Sequence, residues 1–99
     1  MTITTTTAGN EMTIKTVGRL DTTTAPELDA ELKKSLEGVK KLIMDFSELE
    51  YISSAGLRVI FSAQKAMDRQ GEMVIRGANE DVLEVFEVTG SFDILTIEL

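Results

Sequence analysis

The chain has no cysteine, no histidine and no tryptophan, and one proline and one tyrosine among 99 residues. Without cysteine there are no disulfides, thiolate metal sites or thiol nucleophiles. Without histidine the commonest general base and the commonest metal ligand are missing, and every Ser/His or Cys/His catalytic arrangement goes with them. Carboxylates, lysines, hydroxyls and a single phenol remain for chemistry. Aromatic residues make up only 5%, too few for a base-stacking platform, and a net charge of −7 repels phosphate backbones and anionic leaflets. Neither a nucleic-acid partner nor membrane insertion is expected, because no apolar run approaches the ~20 residues that span a bilayer. The opening MTITTTTAGNEM has no basic n-region and no apolar h-region, which predicts no signal peptide and a cytoplasmic location.

What is present suits one soluble α/β domain. The hydrophobic share is 42% and the charged share 27%, and a chain this long buries roughly two-thirds of its unfolded surface. Residues 2–7 and 11–17 are rich in threonine and β-branched side chains and predict a hairpin turned at Gly9-Asn10, with Met12 and Ile14 inward and Thr13 and Lys15 outward. TAPE, Thr24 to Glu27, reads as a capping box with Pro26 in the first turn. A helix follows, with Leu28, Leu32 and Leu36 on one face, Lys33 and Lys34 near its negative end and Gly38 as its αL stop.

KKLIMDF, 40–46, predicts a central strand buried on both sides, and SELEYI after it a short turn. The longest helix, about 54–70, carries Leu57, Ile60, Phe61, Ala63 and Met67 inward and stops at Gly71. EMVIRG, 72–77, is a strand. Asn79 caps a helix bearing Val82, Leu83 and Phe86 that ends near Thr89-Gly90, and DILTIEL, 93–99, is the last strand. A hairpin followed by alternating helix and strand implies a mixed sheet of about five strands, substantially parallel, with three main helices packed on it.

Within this order one stretch thins out: Ser53-Ser54-Ala55-Gly56, between LEYI and LRV. It falls at the start of the longest helix, where Ser53 or Ser54 can be the N-cap and the first-turn amides point outward with the positive end of the helix dipole behind them. Small side chains there leave room for close approach. A phosphate on one serine would gain from the helix end, with Arg58 one turn on, although Arg58, Lys65 and Arg69 also read as an ordinary exposed basic stripe. Asp21 and Asp45 can be imagined as a carboxylate pair, but with 17 acidic residues in the chain they read better as turn and cap carboxylates. Tyr51 reads as packing at a strand end rather than as a catalytic group.

Three segments resemble the STAS domain, and within it the bacterial anti-sigma-factor antagonists: GRLD at 18–21, LEYISSAGLRV at 49–59 and FEVTG at 86–90. The resemblance covers nearly the whole chain, and it implies one such domain over residues 1–99. It implies a non-enzymatic regulator without cofactor, which binds an anti-sigma factor that is also a serine kinase and is released when that kinase phosphorylates the serine opening the helix. A PP2C-type phosphatase then restores it. By the matching register the acceptor is Ser54, with Ser53 as its rival, and Asp21, Ser53, Ser54, Ala55, Gly56, Leu57 and Arg58 line the docking surface. The chain departs from the family where many members carry Asp, here Ser53, and where the next hydroxyl is replaced by Ala55. The resemblance equally allows a non-switching subunit of a transport assembly of the lipid ABC type, in which both serines are only caps. An enzyme using Asp/Glu chemistry is a third class, for which no base, nucleophile and oxyanion set converges in the sequence.

Overall fold

Thr2–Ala8 (β1) and Glu11–Leu20 (β2) form the antiparallel hairpin that their composition predicts, turned at Gly9-Asn10. The computed structural model describes residues 1–99 and continues with Ala25–Ser35 (α1), Lys41–Ile52 (β3), Ser54–Asp68 (α2), Glu72–Arg76 (β4), Glu80–Val88 (α3) and Ile97–Glu98 (β5). The strands lie in the order β1-β2-β3-β4-β5, antiparallel only between β1 and β2 and parallel from there on.

All three helices cover one face of this sheet. Alternation along the strands turns Met12 and Ile14, Leu42, Met44 and Phe46, and Met73 and Ile75 toward them. Leu28 and Leu32 of α1, Leu57, Ile60 and Met67 of α2, and Val82 and Phe86 of α3 close over these residues in one continuous core. Phe46 and Phe86 stack with ring centroids 6.5 Å apart, and Phe92 meets Phe86 edge-on at the same distance. Phe61 is half-buried at the edge of the core, whereas Gln64, which the periodicity did not single out, is buried.

The opposite face has no helix. Across it run two rows of alternating charge: Glu11, Lys41 and Glu72, and then Lys15, Asp45, Arg76 and Glu98. Lys41 pairs with Glu72 at 3.8 Å, Arg76 with Glu98 at 2.9 Å, and Lys15 with Glu48 from farther along β3. Between the rows Ile43 and Val74 are only 5% and 6% exposed. Long charged side chains on both sides therefore shield an apolar strip with their stems.

Four sequence expectations are corrected. SELEYI is strand, not turn: β3 runs to Ile52 because it bulges twice against β2, between Asp45 and Glu48 and between Leu49 and Tyr51. The bulges break the period of two, which is why Leu49 and Ile52, three apart, are both buried. At the second bulge Gly18 has φ +104, a conformation that side-chain-bearing residues rarely adopt. TAPE forms no capping box. The Thr24 hydroxyl is taken up by the Asp21 amide, which donates to it at 2.8 Å, and by the Arg19 carbonyl, to which it donates at 2.7 Å. The predicted final strand shrinks to Ile97–Glu98, because Gly90 at φ +72 starts a single 3-10 turn over Ser91–Asp93. Ser91 is buried and its carbonyl accepts from both Ile94 and Leu95. Helix α1 closes at Leu36, two residues before Gly38.

Candidate functional site

The C-terminal ends of β2 and β3 are tied together where α2 begins. The Ser53 amide donates to the Leu20 carbonyl at 2.8 Å, and one residue later the chain turns into the helix. Ser53 is the N-cap: its backbone is extended at ψ 175, and its hydroxyl oxygen accepts from the Gly56 amide at 3.2 Å. Ser54 is the first helical residue. It is exposed, and its hydroxyl is engaged by no other side chain or backbone group. The Leu57 amide donates to the Ser53 carbonyl, so the Ser54 and Ala55 amides are left at the open end of the helix. No acidic residue occupies this first turn.

Ala55 is half-buried and Arg58 exposed. Arg58 lies one turn beyond Ser54 on the same side and has no carboxylate within ion-pair distance. It begins a groove of about 550 Å³ shared with Phe61, Ser62, Lys65 and Ile94. Gly56 and Leu57 are also expected on the docking surface. Both are buried, and a Cβ on Gly56 would stand 2.6 Å from Leu20 Cγ and 2.9 Å from the Leu20 carbonyl oxygen. The smallness of Gly56 thus serves the close approach of α2 to the end of β2.

Asp21 stands beside this junction and is locked into a turn. Its Oδ1 accepts from the Thr23 hydroxyl at 2.8 Å, the Thr23 amide at 3.0 Å and the Thr24 amide at 3.1 Å. The Thr23 hydroxyl, followed by the Thr24 amide, holds the Asp21 carboxyl below its ordinary value near 3.8. It is an anion at the edge of the site whose hydrogen-bonding capacity is largely spent on its own turn.

Asp45 is elsewhere. It is paired with Lys15, and Asp21 lies six residues beyond Lys15, roughly 20 Å along the strand. Ser47 holds the Asp45 carboxyl low, its amide donating to Oδ1 at 2.9 Å. The two carboxylates form no pair.

One feature was not anticipated from the sequence. The Arg19 guanidinium lies 4.3 Å from the centre of the Tyr51 ring, with its Nε 3.9 Å from Asp21 Oδ2. Tyr51, 40% exposed, therefore forms part of the rim together with Arg19 and Asp21. Only the register between β2 and β3 brings Arg19 opposite Tyr51, and that register depends on the bulges.

Comparison with known proteins places the chain in a family. The family model for the STAS domain matches residues 2–99. BtrV of Bordetella bronchiseptica is 37% identical over 82 residues, covering 81% of this chain and 71% of that protein. The anti-sigma-B factor antagonist of Listeria monocytogenes is 36% identical over 84 residues, covering 82% and 73%. Among solved structures, the anti-sigma factor antagonist SpoIIAA superimposes in its unphosphorylated form with a TM-score of 0.78 at 14% identity, covering 99% of this chain and 88% of SpoIIAA. Its phosphorylated form gives 0.76 at 15% identity, covering 99% and 92%. At that identity the likeness is one of fold. No helix of the chain is long and apolar enough to cross a membrane.

Proposed function

Because the chain belongs to the STAS-domain family, and within it to the anti-sigma factor antagonists, we propose that it works as a partner switch whose contact surface is the start of α2. In the unphosphorylated state Ser54, Ala55 and Arg58, flanked by Asp21 and Ser53, dock an anti-sigma factor with serine-kinase activity, while Gly56 and Leu57 hold that surface at its level. Docking sequesters the anti-sigma factor and frees its sigma factor. The kinase then transfers the γ-phosphoryl group of its own ATP to the Ser54 oxygen, ADP leaves, and the complex ends. A PP2C-type phosphatase hydrolyses the ester and resets the switch. This chain binds and accepts; the nucleotide belongs to the kinase.

The observation that carries this reading is the division of labour between the two serines. Ser53 has its hydroxyl oxygen engaged as the cap, whereas the Ser54 hydroxyl is exposed and free. A phosphate on Ser54 adds nearly two negative charges at a helix end that carries no acid of its own. In the free protein those charges are stabilised by the helix end, by Arg58 and by water. In a closed interface they lose the water, and the complex weakens.

Incubation with the cognate kinase and ATP, followed by site-resolved mass spectrometry, tests the reading. Phosphate is expected on Ser54, and Ser54→Ala is expected to keep the complex while blocking incorporation. Phosphate on Ser53 alone would reverse the assigned roles. No incorporation, combined with membrane co-purification with an ATPase, would favour the transport-subunit alternative.

A further inference from the structure

Ion pairing passes one helix by. Six of the ten basic side chains sit in ion pairs: Lys15, Arg19, Lys33, Lys34, Lys41 and Arg76. Of the other four, Lys40 lies before β3, whereas Arg58, Lys65 and Arg69 are all exposed on α2 or at its C-cap. With 3.6 residues per turn these three fall, together with Ser54, within about 60° around the helix axis, and from Ser54 to Arg69 they extend ~22 Å along it. A stripe of unpaired positive charge therefore starts beside Ser54 and runs the length of the helix, on a chain whose net charge is −7. Asp68 is the one acid of α2, and its carboxylate accepts from the Gln64 side-chain amide at 2.8 Å. Beside the stripe lies the groove that Arg58 begins. Phe61 and Ile94 make its apolar lining, Ile94 being 59% exposed, and none of the acids of α3 reaches it.

Granting the partner switch, on which this depends, we propose that the stripe and groove are a second contact for the anti-sigma factor, taking an acidic segment of that partner. Its carboxylates meet Arg58, Lys65 and Arg69, and an apolar side chain enters the groove against Phe61 and Ile94. Charge and length select this occupant. A stripe of ~22 Å matches about seven extended residues or four helical turns, a peptide rather than a small molecule. A lipid-binding cluster takes roughly four to eight cations. Here there are three, and the charge of −7 repels an anionic leaflet and a phosphate backbone alike.

The position of Arg58 joins this contact to the switch. It lies one turn beyond Ser54, at the head of the stripe and at the mouth of the groove. A phosphate on Ser54 takes Arg58 as its counter-ion and meets the first carboxylate of the segment as a like charge. Phosphorylation thus releases the segment from the end nearest Ser54, while Lys65 and Arg69 serve to gather the partner by long-range attraction.

Surface plasmon resonance with the cognate anti-sigma factor, at about 50 mM and about 300 mM salt, tests this. Lys65→Glu/Arg69→Glu is expected to slow association about tenfold at low salt and to flatten its salt dependence, with dissociation within about twofold of wild type. Ile94→Ser is expected to speed dissociation about fivefold and leave association unchanged. Lys33→Glu/Lys34→Glu makes the same change of net charge in the last turn of α1, and is expected to remain within about threefold of wild type. Should the α2 charge reversal lose its circular dichroism spectrum, Lys65→Gln/Arg69→Gln replaces it, with association slowed at least about threefold. Equal losses in the α1 and α2 variants, no loss in either, or an Ile94→Ser protein indistinguishable from wild type overturns the second contact and leaves the switch at Ser54 standing. Wild-type affinity of Ser54→Asp brings down the switch itself, whatever the stripe does.

Discussion

Helices α2 and α3 begin with the same device and end up differently equipped. In each, an extended residue with ψ 175 leads into the first turn, and its side chain accepts from the amide three residues on: Ser53 from Gly56 and Asn79 from Val82. In α3 the first turn then carries Glu80 and Asp81, which complement the helix dipole, and Asn79 also donates to the Leu49 carbonyl at 3.0 Å. In α2 the first turn carries no acid and exposes Ser54. Capping is thus not what distinguishes the candidate site. The difference is an uncompensated positive helix end: α3 has received its negative charge from the sequence, whereas α2 has a hydroxyl on which one can be placed and removed.

The largest expected effect tests that difference directly. Ser54→Asp should weaken binding to the cognate anti-sigma factor by about 100-fold or more, roughly 2.7 kcal/mol, as measured by calorimetry. Wild-type affinity in that variant would mean that α2 is no more a switch than α3. Next comes the third residue after each cap, Gly56 in α2 and Val82 in α3. Gly56→Ala should lower the stability in urea by about 1–3 kcal/mol, because the new methyl group meets Leu20. An unchanged midpoint would remove the packing account of Gly56.

The caps themselves follow. Ser53→Ala should cost about 1 kcal/mol and Asn79→Ala about 2, since only Asn79 holds a second backbone group. Equal losses would show that the Leu49 bond contributes nothing. Smaller still, Ser54→Asp should stabilise the free protein by about 0.3–1 kcal/mol while Glu80→Gln destabilises it by a similar amount, opposite signs from equivalent helix ends. The mildest effect concerns pH. The Asp21 carboxyl lies below its ordinary value near 3.8, so its contribution is complete above that value and is lost as pH falls through the lowered one. Acid titration of Asp21→Asn should lose that part of the slope, and between pH 6 and 8, with no histidine, the stability should be flat.

Much of this arrangement was legible because it is local. Asn79 as a cap, the hairpin at Gly9-Asn10 and the small residues opening α2 are recognisable within a few positions. The misreadings share a cause, which is competition from partners distant in sequence or diverted nearby. The Thr24 hydroxyl had the right spacing for a capping box but found the Asp21 amide and Arg19 carbonyl first. Leu49 and Ile52 looked like neither strand nor helix because two bulges change the facing between them. Gly56 appeared to make room for a partner, and only the fold reveals that the room is taken by Leu20. The Arg19 stack on Tyr51 joins residues 32 positions apart and had no local sign.

The double bulge of β3 has one more consequence. From Lys15 to Leu20 β2 advances five residues, while β3 spends seven from Asp45 to Ile52 to keep pace. The first extra residue inverts which side chains face the core, and the second restores the original phase before Ser53 bonds to Leu20. Segment 47–51 therefore stores a length rather than a composition. Three of its exposed members, Ser47, Glu48 and Glu50, tolerate exchange of type, but removing any one of them would bring Ser53 to Leu20 out of phase. Mutational drift in this stretch should therefore be generous in substitutions and intolerant of single-codon deletions.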